Sequence, residues 1–208
     1  MTLQVSKDKL RRLPYQARLN MIKHQKDFFE EVVLLIKDHQ GRDHPDIENF
    51  IISKGSVMQM VDLIKFPGID VVNMCQGIAN KLEGGMLSID AIAIRRTLPQ
   101  TLHVLKGRIP TENLKKALDI LTDALLIVNE KEQQKREFGY TRIGVDCLIC
   151  LMTKLWKIMD YNKIADGLLP YLGQPIIEAH IKTIYTMITD KEFRARIVNA
   201  IEIHDIIT

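Results

Sequence analysis

Two cysteines one helical turn apart, Cys147 and Cys150, are the sharpest chemical feature of the sequence. On a helix over residues 145–159 they share a side with Lys154 and Lys157, roughly opposite the apolar residues. Thiols beside ammonium groups acquire a lowered pKa, which permits redox chemistry or metal binding. A structural zinc site needs two further ligands, and no second cysteine pair of this spacing is present. We expect both cysteines to be small buried apolar side chains, with a thiol redox or metal role as an alternative.

Basic residues concentrate near the N-terminus. Between residues 7 and 26, seven basic side chains accompany a single acid, Asp8, which gives this segment a net charge of +6 in a chain of net charge +3. The seven are Lys7, Lys9, Arg11, Arg12, Arg18, Lys23 and Lys26. Such a segment can bind nucleic-acid phosphates, an anionic membrane surface or an acidic protein. Because Pro14 interrupts the helical face and no RNA- or DNA-binding signature follows, we expect a solvated face, with nucleic-acid binding as an alternative.

Other residues that commonly perform catalysis are dispersed. The six histidines form no HExxH motif, and no glycine-rich phosphate loop or GxSxG motif occurs. Gly84 and Gly85 are typical of a helix end rather than of a phosphate loop. We therefore expect a binding role rather than catalysis, and no cofactor.

The composition is that of a globular protein. Of the 208 residues, 46% are hydrophobic and 26% charged, which excludes a wholly disordered chain. No apolar run approaches the roughly 18 to 20 residues that a membrane-spanning helix needs, and the N-terminus has no apolar stretch typical of a secretory signal. Three cysteines do not form a disulfide framework, which favours a reducing compartment. We expect a cytoplasmic protein without a transmembrane segment.

Proline and glycine divide the sequence into segments with a helical apolar period. The longest predicted helices cover residues 15–39 and 112–137, and the last two turns of the second lose their apolar face, so we expect them to project into solvent with a Glu132–Arg136 pair. Capping residues are predicted before two other helices. One pair is Ser56 with Gln59, and the other is Thr189 with Glu192.

These patterns predict an all-α protein, an irregular multi-helix bundle of about eight to ten helices. We expect a basic N-terminal segment at residues 1–14 and a single helical domain at residues 15–208. A short α-solenoid-like array is an alternative, as is a small β-hairpin near residues 140–152, where β-branched residues follow a glycine. The predicted function is protein–protein interaction, as an adaptor, a chaperone-like factor or a subunit of a larger assembly.

Overall fold

A computed structural model describes residues 26–28, 30, 45–66, 68–84, 93–134 and 143–207. All regular structure in these ranges is helical, apart from one isolated bridge between Lys106 and Ile109. The predicted all-α bundle of about eight to ten helices is confirmed. The hairpin alternative is wrong for residues 143–152, which lie within one helix, because their apolar residues continue around the helix rather than alternating.

The chain divides into two compact units, residues 1–55 and 56–208. In the first unit, residues 26–28 and 30 are helical, and α1 spans Pro45–Lys54. The rings of Phe28 and Phe50 stack with their centroids 5.8 Å apart. The predicted boundary at residue 14 lies outside the described residues, as does most of the predicted helix over residues 15–39.

The second unit contains eight α-helices, a π-helix and two 3-10 turns among its described residues. In chain order they are α2 Val57–Leu63, α3 Val71–Glu83, the π-helix Ala93–Thr97, α4 Leu98–Leu105, α5 Thr111–Gln134, α6 Ile143–Leu155, the 3-10 turn Trp156–Ile158, α7 Tyr161–Leu168, the 3-10 turn Leu169–Tyr171, α8 Pro175–Met187 and α9 Lys191–Ile207.

Helix α6 lies at the centre of this unit, against α4, the π-helix, α5 and α8. It therefore packs on elements from both earlier and later in the chain, which is the arrangement of a bundle rather than of a linear stack of helix pairs. Gly144 allows its close approach to α5. A Cβ atom at this position would lie 2.6 Å from the backbone nitrogen of Asn129 and 2.7 Å from the carbonyl oxygen of Leu125.

The predicted capping box at Ser56 is present and begins α2. The Ser56 hydroxyl accepts the N–H of Gln59 at 3.3 Å, and the Gln59 side chain accepts the N–H of Ser56 at 2.8 Å. The cap predicted at Thr189 is wrong, because Asp190, one residue later, accepts the N–H of Phe193 at 2.7 Å. Aspartate is a stronger N-cap than threonine, and its charge interacts favourably with the positive end of the helix.

The end of α5 is only in part the solvent-projecting segment that was predicted, because Glu130, Lys131 and Gln134 are exposed but other side chains contact neighbouring elements. Asn129 is fully buried, and Lys131 donates to the carbonyl oxygen of Glu83 at 3.0 Å. The carboxylate of Glu132 accepts the N–H groups of Ile143 and Gly144, at 3.0 and 3.1 Å, and so caps the start of α6. The predicted partner Arg136 lies outside the described residues.

Candidate functional site

Helix α6 leaves a narrow strip of side chains accessible between the helices that cover it. At spacings of three and four residues the strip contains Asp146, Cys150 and Thr153 with Lys154, and it continues to Lys157 in the following 3-10 turn. The flanks are formed by α4 with the π-helix and by α8.

The C-terminal end of the strip opens into a cavity of about 220 Å³, which we call the basic pocket. It lies where the ends of α4 and α6 come together. Its lining residues are His103, Lys106, Thr153, Lys154, Leu155, Trp156, Lys157 and Ile158. Three lysines and no aspartate or glutamate are among them.

The three lysines of the basic pocket have no acidic partner in the part of the chain that the structure describes. The ion pairs found there involve other residues. Lys157 Nζ lies 5.6 Å from the centroid of the Trp156 ring, a cation–π contact. Thr153 donates its hydroxyl proton to the carbonyl oxygen of Cys150 at 2.7 Å. The remaining donors of the pocket are not engaged by carboxylates.

The C-terminal ends of two helices explain part of the positive charge around the pocket. His103 and Lys154 lie in the last turns of α4 and α6, where basic side chains interact favourably with the helix dipole. Each helix C-terminus carries roughly half a negative charge, so two of them offset about one of the three lysine charges. A net charge of about +2 remains in the pocket, which the helix ends do not neutralise.

The opposite end of the strip holds a polar cluster of three side chains, Arg95, Asp146 and His180. Arg95 Nη1 donates to Asp146 Oδ2 at 3.2 Å, and His180 Nε2 lies 2.9 Å from Asp146 Oδ1. The cluster ties the π-helix and α8 to the first turn of α6. Between 19% and 37% of each of these three side chains is exposed. The cluster therefore contributes at most modestly to the stability of the fold.

The cluster was not found by sequence reasoning. Its members are separated by 51 and 34 residues along the chain, and no spacing pattern connects them. A histidine oriented by an aspartate is one half of a nucleophilic site, but such a site also needs an activated nucleophile. The nearby thiol does not supply one. Burial raises the pKa of Cys150, and the Arg95 guanidinium, which lowers it, does not cancel that effect.

The two cysteines of α6 differ in accessibility. Cys147 is fully buried and Cys150 is partly exposed. Burial also raises the pKa of Cys147 and of Cys75, which lies in the core on α3. The thiolate is the form that attacks electrophiles and binds metals, so these pKa shifts oppose both kinds of chemistry. Among the described residues, no group of three histidine, cysteine or acidic side chains is placed to hold a metal ion.

The basic stretch of residues 7–26 falls almost entirely outside the described residues. Lys26 is described, and it pairs with Glu30 at 3.5 Å while 72% of its side chain stays exposed. The other six basic residues of the segment have no described position. They are Lys7, Lys9, Arg11, Arg12, Arg18 and Lys23.

A second cavity, of about 370 Å³, lies along α5 beside α7 and the second 3-10 turn. Leu126 and Ile127 contribute apolar surface, and the acids Asp123 and Glu130 lie at its edge. Asp123 is already paired with Lys163, and the side chain of Gln134 donates to Glu130. This cavity therefore has a weaker electrostatic character than the basic pocket.

Comparison with known proteins adds no relative. No protein-family model, no curated protein and no solved structure matches the chain. Within the described ranges, none of the helices combines the length and apolar character that a membrane crossing requires.

Proposed function

We propose that this chain is a non-enzymatic protein–protein interaction protein, and that its partner places an acidic group in the basic pocket. The observation that carries the proposal is a concave site lined by Lys106, Lys154 and Lys157 without an acid among its lining residues. Complementary charge of this kind accelerates association and selects against partners of the wrong sign. An adaptor or a subunit of a larger assembly would use the site in this way.

The surroundings of the pocket favour a protein partner over a nucleic acid. Val104, the residue after His103 on α4, has 41% of its surface exposed, which offers apolar contact beside the charged site. Nucleic-acid binding usually spreads over several phosphates along a groove, with aromatic residues on which bases stack. A single cavity of about 220 Å³ suits one compact anionic group instead. Nucleic-acid binding through residues 7–26 is the competing proposal.

The test compares partner capture by three forms of the full-length chain. In the first variant Lys106, Lys154 and Lys157 are all changed to Gln, which removes the charges and keeps a polar side chain at each position. The matched control changes three exposed lysines that do not line the pocket. They are Lys116, Lys182 and Lys191.

We expect the wild type and the control to retain the same partner from the native source, identified by mass spectrometry, and the pocket variant to lose it. The affinity for the purified partner should fall with added salt, because the contact is between exposed charges. Equal capture by all three forms would remove the basic pocket from the function. Salt-sensitive binding to generic DNA or RNA that survives in the pocket variant would favour the competing proposal.

A further inference from the structure

We propose that the basic pocket is a phosphate site, and that its ligand is the phosphate monoester of a phosphorylated serine or threonine on the partner protein. This inference rests on the proposed function, because it names the acidic group that the partner presents.

The pocket offers more side-chain donors than acceptors, because its lining includes no carboxylate and its side-chain acceptors are the Thr153 hydroxyl and one nitrogen of a neutral His103. Lys106, Lys154 and Lys157 present ammonium groups, and the indole N–H of Trp156 has no hydrogen-bond partner among the described residues. The hydroxyl proton of Thr153 is already donated to its own helix. A ligand must therefore bring acceptor atoms. A phosphate monoester brings three strong acceptor oxygens, whereas a carboxylate has two oxygens.

Charge separates a phosphate monoester from the other anions that proteins meet. The three lysines less the two helix ends leave a net charge of about +2, and a phosphorylated side chain carries about −1.5 to −2 near neutral pH. The carboxylate of Asp or Glu and each phosphodiester of a nucleic acid carry only one negative charge. The monoester is therefore the ligand that neutralises the pocket most completely.

The negative helix ends also set a limit on this interaction. Phosphate groups are favoured at helix N-termini and disfavoured at C-termini. Because α4 and α6 both end at the pocket, the backbone opposes the ligand and the side-chain donors must bind it alone. We therefore expect inorganic phosphate to bind at millimolar concentrations and a peptide that adds contacts with neighbouring residues to bind more tightly.

The backbone that carries the lysines is held in place. Lys106 lies in a tight turn in which Gly107 adopts a φ of +86° and the N–H groups of Arg108 and Ile109 both donate to the carbonyl oxygen of Leu105. Lys154 belongs to the last turn of the central helix α6. Only the flexible lysine stems have to be ordered when a ligand binds, which limits the entropic cost.

Trp156 is the only tryptophan of the chain, so fluorescence excited beyond the tyrosine absorption band reports on this pocket. We would titrate the full-length protein near neutral pH, at constant ionic strength, with potassium phosphate and with three forms of one short peptide. The peptides carry phosphoserine, serine or glutamate at the same position. We expect a saturable change in fluorescence with phosphate and phosphopeptide, a much weaker response to the glutamate peptide and none to the serine peptide.

Lysine variants test whether the change in Trp156 fluorescence depends on the pocket lysines. Lys106→Gln and Lys154→Gln should each weaken phosphopeptide binding by about two- to fivefold, the range for one exposed ionic contact. Lys157 is left unchanged in this assay, because its ammonium group contacts the reporting ring. Lys116→Gln, on the exposed face of α5, is the matched control and should bind as the wild type does. Circular dichroism verifies that each variant is folded.

Three outcomes would overturn the inference. The first is a fluorescence response to phosphate and phosphopeptide that does not saturate or that is equal in Lys154→Gln and the control. The second is equal binding of the phosphoserine and glutamate peptides. The third is lysine-dependent binding of a nucleoside monophosphate or a short single-stranded oligonucleotide that matches or exceeds phosphopeptide binding. If phosphate fails while partner capture still requires the pocket lysines, the proposed function survives and only the phosphate inference falls.

Discussion

The substitution Gly144→Ala should destabilise the protein, because Gly144 lies at the close contact between α5 and α6. The added methyl carbon would meet backbone atoms of α5 at 2.6, 2.7 and 3.0 Å, where an ordinary contact begins at 3.4 Å. These atoms belong to Leu125 and Asn129, in the middle of a regular helix, so they cannot rotate away as a side chain would. The two helices must separate or α6 must shift.

The cost can be estimated from that separation. Moving packed surfaces apart by about 0.5–1 Å sacrifices a quarter to a half of the dispersion energy of the contacts concerned. Overpacking of a core costs about 1–3 kcal/mol, and rigid backbone atoms place this site at the upper end of that range. Replacing glycine by alanine in a helix returns about 0.5–1 kcal/mol by restricting the unfolded chain. We expect a net loss of about 2 kcal/mol, equivalent to a fall in Tm of about 4 to 8 °C.

Thermal unfolding monitored by circular dichroism and by Trp156 fluorescence measures this loss in the unit that contains α6. Gly84→Ala is the matched control, since Gly84 has a φ of −73° and its added carbon would have no neighbour closer than 3.4 Å. We expect the Tm of the control to stay the same or to rise slightly. A Gly144→Ala protein whose Tm stays within about 2 °C of the wild type would refute the packing argument.

Other contacts give smaller predictions. Ser56→Ala should lower the free energy of unfolding by about 1 kcal/mol in urea denaturation, whereas Ser56→Asp should largely retain it. Asp146→Asn should cost about 0.5–1 kcal/mol at low salt and less at high salt, because the ion pair it breaks is partly exposed. In native alkylation, Cys150 should react before Cys147 and Cys75; faster reaction of a buried thiol would contradict the core described above. Burial raises the pKa of the Cys147 and Cys75 thiols, so above about pH 8.5 only the unfolded state loses their protons. The free energy of unfolding should then fall by about 1.4 kcal/mol per pH unit for each of the two thiols. Cys75→Ala should reduce this slope.

Local signals in the sequence account for much of the secondary structure of the second unit. Pro175 begins α8, and the isoleucines at 177, 181, 184 and 188, one helical turn apart, are all buried. The capping box before α2 was predicted because both of its hydrogen bonds join residues three apart. Such features depend on neighbours in the chain, so a single sequence contains the information that specifies them.

Features that depend on distant contacts were missed. Helix α7 was not predicted, because it has only eight residues and ends just before Pro170. It is held instead by its Asp160 cap and by packing against α5 and α8. The end of α5 was predicted to be solvated because its charged residues gave no sign that α6 would begin beside Glu132. Tertiary packing overrides the local pattern in both places.

The helical period of α6 separated an apolar side from a side with cysteines and lysines, but it could not show how much of the second side reaches solvent. Helices on several sides of α6 narrow that second side to a strip, so Cys147 becomes core while Lys154 stays accessible. The same packing brings the end of α4, with His103 and Lys106, beside the lysines of α6. The side of α6 that carries the cysteines thus differs along its length. Burial raises the pKa of its thiols, as suits the buried side chains that were expected, whereas the end with Lys154 and Lys157 has no acid among its lining residues. It is at this end that we propose a site for an anion.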